Sequence, residues 1–143
     1  MIKQDFTQEI KAPVEKVFAY VTDFRKNAEW QEGVMESSQT PDGPTALGTK
    51  FKTVRTFLGQ KLDATGEVTE FEPNKKFAFK STSGPIKFSL WQTFESAAGG
   101  TKLSLKVEME AGGFFKLAEG ALAGNLKKTF EDQAAKLKSV LEG

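Results

Sequence analysis

The sequence predicts an α+β fold in which a curved antiparallel sheet covers one long C-terminal helix, and three observations carry that expectation. Residues 113–142 place Phe115, Leu122, Leu126, Phe130, Leu137, Val140 and Leu141 on one stripe at helical spacing, with Lys116, Lys127, Glu131, Lys138 and Glu142 off it. Nearly everything before Ala111 reads as short extended runs broken by Gly, Pro and Asn. The breaks between the later runs are too short for parallel crossovers, so neighbouring strands must run antiparallel. A helix of about thirty residues is roughly 40 Å long, more than a single strand or short helix could shelter, and a curved sheet is its natural partner.

Taken in order, Ile2 to Ile10 alternates loosely and predicts a first strand. Pro13 suits the start of a helix, where its missing N–H has no partner to lose. Val14, Val17, Phe18 and Val21 continue that helix to about Thr22. Asp23 is placed to cap a second short helix from Phe24 to Trp30. Two such short helices cannot cross a sheet and are expected to plug one end of it. Extended runs follow over Val34–Gln39, Thr49–Leu58, Gln60–Phe71, Phe77–Ser81, Pro85–Glu95 and Thr101–Glu110, with turns at Pro41–Pro44, Gly59, Glu72–Lys75, Ser83–Gly84 and Ala97–Gly100. The last strand alternates most cleanly, with Leu103, Leu105, Val107 and Met109 on one face and Lys102, Ser104, Lys106 and Glu108 on the other.

Composition narrows the function. At 143 residues the chain reads as one domain, 1–143, large enough for a real core. Thirteen Phe against two Trp and one Tyr supply bulky apolar groups that need no hydrogen-bond partner, which suits a core or the lining of an apolar pocket. Twenty basic and nineteen acidic residues, well mixed, leave no electrostatic footprint for nucleic acid. With no Cys and no His, thiol chemistry, disulfides and the usual general base are excluded, and no metal or other cofactor is expected. The opening MIKQDFTQEI lacks the pattern of a signal peptide and no window is apolar enough to span a membrane, so a cytoplasmic protein, monomer or homodimer, is expected.

The element order and particular residues resemble the START-like helix-grip (SRPBCC) superfamily, and within it the polyketide cyclase/dehydrase-like branch. The resemblance runs through Ile10-Lys11-Ala12-Pro13-Val14-Glu15-Lys16-Val17-Phe18 into Asp23 and Trp30, then Val68-Thr69-Glu70-Phe71-Glu72-Pro73-Asn74. It continues through Gly99-Gly100-Thr101 to Leu137-Lys138-Ser139-Val140-Leu141-Glu142. It implies a helix-grip fold, a bent seven-stranded sheet holding the C-terminal helix, with a ligand cavity between them. It supplies no catalytic motif that transfers residue by residue, so the site is argued from this chain.

By strand parity, Phe51, Thr53, Arg55 and Phe57 share one face, as do Leu62, Ala64, Gly66 and Val68. Phe77 and Phe79, and Ile86, Phe88, Leu90, Gln92 and Phe94, add more of the same surface. The expected ligand-binding set is Phe24, Trp30, Phe51, Arg55, Phe57, Phe79, Phe88, Leu90, Gln92, Phe115, Glu119 and Leu122. Arg55 is the most telling member: facing inward it needs an anionic partner, the ligand or Glu119, whereas a strand twist would leave it in solvent. Glu119 falls within the apolar stripe unless a break at Gly120 rotates it out. Tyr20, Asp63 and Glu67 are the remaining acid/base candidates, with Asp63 and Glu67 expected on a solvated face. Gly112 and Gly113 have no Gly-Lys-Ser/Thr after them, which rules out a phosphate loop. Gly112, Gly113, Gly120 and Gly124 crowd the start of the long helix, and the two interior ones weaken its first half, either as a gate for ligand or to permit close packing.

The leading reading is therefore a binding or carrier protein for a small apolar molecule such as a lipid, isoprenoid or aromatic metabolite. The second is a cyclase- or dehydratase-type enzyme that uses neither metal nor His and works largely by holding its substrate in a reactive conformation. The third is a regulatory module acting through a partner protein.

Overall fold

Strand β1 (Ile2–Ile10) opens the chain and lies beside its last strand. The computed structural model describes residues 2–31, 33–41, 43–57, 59–84, 86–111 and 119–142, with the side chains of residues 57, 60, 111, 119, 121 and 122 outside the description. After β1 come α1 (Val14–Val21), a 3₁₀ turn (Phe24–Lys26) and α2 (Asn27–Trp30), which carry the chain from one sheet edge to the other. Strands β2 (Val34–Thr40), β3 (Lys50–Phe57), β4 (Gln60–Glu72), β5 (Lys76–Ser83), β6 (Ile86–Ala97) and β7 (Gly100–Ala111) return by successive hairpins, and α3 (Glu119–Glu142) follows. The result is a seven-stranded antiparallel sheet in the order β1-β7-β6-β5-β4-β3-β2. Of the expected long helix, residues 113–118 lie outside the described residues.

Local chemistry accounts for the joints. The Pro13 carbonyl accepts from the N–H groups of Lys16 and Val17, so Pro13 caps α1 from just outside it. The Asp23 carboxylate accepts from the Arg25 N–H at 3.0 Å, as its N-cap position demands, but the helix expected over Phe24–Trp30 divides into the 3₁₀ turn and a single α turn. Asn74 takes the left-handed conformation (φ 62°) in the turn closed by Lys75 N–H to Glu72 C=O. Register shifts between Val34 and Glu36, between Thr65 and Gly66, and between Val68 and Glu70 are bulges, and they bend the sheet over the helix. At Gly66 the Phe51 ring and the Lys80 carbonyl occupy the space a Cβ would need, so this bend admits glycine alone.

Helix α3 lies chiefly against β1, and its described hydrogen bonds run to β1, to Lys11 and to Lys16 of α1. Gln4 Nε2 donates to the Ala123 carbonyl (3.0 Å), Gln8 Nε2 to Ala134 (3.3 Å), Lys138 Nζ to Glu9 (3.3 Å) and Lys16 Nζ to Leu141 (3.1 Å). The Lys11 N–H donates to Glu142 Oε2 at 2.9 Å. Leu126, Leu137 and Leu141 are buried as the stripe requires. Val140 is not: it is 37% exposed, because one residue is a rotation of about 100° and puts it on the margin beside Leu141. Gln133, which the apolar stripe does not include, is 5% exposed and sits on the covered face. One apolar cluster gathers α1, Phe24, Phe51, Phe77, Phe94, Leu103, Leu137 and Leu141, and another gathers Ile2, Ile86, Val107 and Leu126.

Candidate ligand cavity

Alternation along the strands turns one set of side chains toward α3, and that set does not fill the space beneath it. A cavity of about 470 Å³ remains, bounded by the sheet, α2 and α3 and lined by members of both apolar clusters. Its size lies within the range of small-molecule sites. Aromatic rings make much of the wall. Phe24 stacks on Phe51 (4.3 Å, 13°), and Phe79 meets Phe24, Phe51, Phe77 and Phe88 at tilted or edge-on angles. Phe6 packs on Phe130 at 5.0 Å, joining β1 to α3 on the opposite side.

Eight members of the expected set line this cavity: Phe24, Trp30, Phe51, Arg55, Phe79, Phe88, Leu90 and Gln92. Phe115 lies outside the described residues, as do the side chains of Phe57, Glu119 and Leu122. The gate expected in the first half of the helix rests largely on those same residues. Gly120 and Gly124 are described, and a Cβ at either would meet nothing within 4 Å, so close packing does not require glycine there.

Arg55 turns inward. Its Nη2 donates to Gln31 Oε1 at 3.1 Å, and Thr53, Asn27 and Trp30 line the same cavity. Burial pushes the guanidinium below its ordinary pKa, yet an arginine keeps its proton, so a positive charge faces an apolar space. Among the described lining residues the only carboxylates are Asp5 and Glu131; both are exposed, and neither pairs with Arg55. Gln92 is 7% exposed and its Oε1 is buried with no hydrogen-bond partner among the described residues.

Tyr20, Asp63 and Glu67 stand away from the cavity. Tyr20 donates to Glu29 Oε1 at 3.0 Å, and burial together with that carboxylate pushes its pKa up to about 12. Asp63 is exposed, as its parity suggested, and Glu67 pairs with Lys80 on the outer surface. Sequence reasoning passed over Asn27, Gln31 and Gln133. Asn27 and Gln31 are four apart and flank Trp30, a spacing that puts them on one side of a helix, but α2 is too short to show periodicity. Gln133 falls seven residues after Leu126 and four before Leu137, so the stripe itself was the signal.

A family model described as "Polyketide cyclase / dehydrase and lipid transport" matches residues 1–142. No curated protein matches by sequence. Among solved structures, a conserved protein from Geobacillus kaustophilus is 20% identical with a TM-score of 0.80, over 98% of this chain and 95% of that one. A START superfamily protein from Mycobacterium smegmatis is 17% identical with a TM-score of 0.77, over 98% and 97%. A protein from Thermus thermophilus is 16% identical with a TM-score of 0.75, over 96% and 98%. At these identities the likeness shows the fold.

Proposed function

Since the chain belongs to the polyketide cyclase/dehydrase and lipid transport family, with a START-like helix-grip fold, we propose that it is a cytoplasmic protein that binds or carries a small hydrophobic molecule between sheet and helix. The observation that supports this best is the cavity of about 470 Å³, the apolar part of whose wall is chiefly Phe and Leu. A space that size under a well-packed sheet is a standing cost to stability, since each missing neighbour forfeits dispersion contacts, and a ligand restores them. The cyclase- or dehydratase-type alternative has less to work with. Tyr20, Asp63 and Glu67 do not line the cavity, and its described wall offers Arg55 with Asp5 and Glu131 at the rim.

Native mass spectrometry of the protein as purified, followed by extraction, should recover a small apolar molecule unchanged. Apolar probes should also raise the melting temperature in step with their excess over Kd. A protein that neither carries such a molecule nor responds to any apolar probe is not a carrier. A chemically altered product would transfer the case to the enzyme.

A further inference from the structure

Arg55 is the only cation among the described residues of the cavity wall, and its charge is left uncompensated there. A guanidinium has five N–H donors, and the structure gives this one a single acceptor, the neutral amide oxygen of Gln31. A half-buried charge held against an apolar wall in that state is costly unless something supplies the opposite sign. No described side chain does.

We propose that the cavity selects apolar molecules that end in a carboxylate, and that Arg55 grips this end while Gln31 holds the guanidinium in place. The proposal rests on the reading that the cavity takes an apolar ligand. The chemistry specifies the class further. A planar fork of N–H donors matches the two oxygens of a carboxylate, forming short, charge-assisted hydrogen bonds. A phosphate monoester, at about −1.5 to −2, would bring more charge than one arginine balances. An alcohol or ester would leave the cation as it stands. Gln31 is a positioning residue: its oxygen engages Nη2 and leaves the other donors for the ligand. The rest of the molecule would lie along Phe51, Phe79 and Leu90 toward α3.

Dodecanoate, its methyl ester and dodecanol, titrated calorimetrically below their aggregation limits, test this. The intact protein should prefer dodecanoate by about ten-fold or more, the scale expected for a desolvated charge pair. That preference should vanish as the pH falls through the acid's own titration, while ester binding stays level. Arg55→Met should abolish the preference by weakening the acid alone, and the ligand-free variant should melt no lower than the parent, because it no longer buries an uncompensated charge. Gln31→Ala should narrow the preference without removing it. If Arg55→Met does not fold, the pH dependence of the intact protein decides by itself. Equal affinity for acid and ester, or equal loss of both in Arg55→Met, would overturn the carboxylate assignment and leave the apolar cavity standing. Failure of all three probes to bind the intact protein would overturn both.

Discussion

The ring of Phe24 lies flat on the ring of Phe51, centroids 4.3 Å apart and planes within 13°, so that the turn after α1 is stacked directly onto β3. Both rings are also cavity wall, which makes one contact serve stability and pocket shape together. Phe24→Ala should cost about 3–5 kcal/mol in urea unfolding, the range for a buried Phe truncated without collapse. Apolar probes should recover part of that loss by occupying the enlarged space. A cost below about 1 kcal/mol would mean the turn is held by its backbone instead.

Helix α3 can be strengthened at its beginning. Because a Cβ at Gly120 or Gly124 meets nothing within 4 Å, Gly120→Ala and Gly124→Ala should each stabilise by up to about 1 kcal/mol through helix propensity. If this half of the helix also admits ligand, the double variant should release a bound probe more slowly, as read by stopped-flow exchange. Stabilisation with unchanged release would discard the gate and keep the helix argument.

The pH dependence of stability should carry a signature of Glu142. The Lys11 N–H holds its carboxyl below the usual glutamate value; the slight desolvation there acts the other way, and Lys138, at 3.1 Å, adds to the lowering. A group whose folded pKa is depressed contributes stability that is present above its unfolded pKa and lost as the pH falls through the folded one. Glu142→Gln should therefore lower the melting temperature at pH 7. That difference should shrink below the ordinary value of 4.5 and disappear in stronger acid. A difference independent of pH would contradict this.

Tyr20 is the chain's single tyrosine, so tyrosinate absorbance reports on it alone. With burial and the Glu29 contact raising its pKa, the folded protein should show no tyrosinate near pH 10 and titrate only toward 12. A raised folded pKa means that its contribution to stability is complete below 10 and is lost across that interval. Tyr20→Phe should leave probe binding unchanged. A midpoint near 10, or a binding defect in Tyr20→Phe, would return Tyr20 to the list of working residues.

Much of the fold could be read from spacing because spacing is what strands and helices share. Leu103, Leu105, Val107 and Met109 alternate since β7 is covered on one face, whereas parity put Arg55 on the face of Phe51 but left a strand twist open, and only the structure places it on the cavity wall. Bulges were harder, for they depend on neighbours: Gly66 looks like any strand glycine until Phe51 arrives across the ladder. The polar members of the cavity were hardest. Gln31 is brought to Arg55 from 24 residues away by a one-turn helix that has no periodicity to detect. Gln133 was concealed by its own chemistry, since an amide on an apolar stripe reads as a surface position unless the space opposite is known to be open.

The hydrogen bonds between β1, α1 and α3 have a kinetic side. Gln4 and Ala123 are 119 residues apart, and Lys16 and Leu141 are 125 apart. Closing so large a loop costs more entropy than closing a hairpin, and that cost must be met before these contacts return anything. The hairpins from β2 to β7 can zip together as neighbours, but the roof meets the wall only when both distant segments arrive. Until then the cavity is an open trough, and an apolar molecule lying in it needs no portal. In this topology loading and the final folding step can be one event, with the guest enclosed by the chain as it closes.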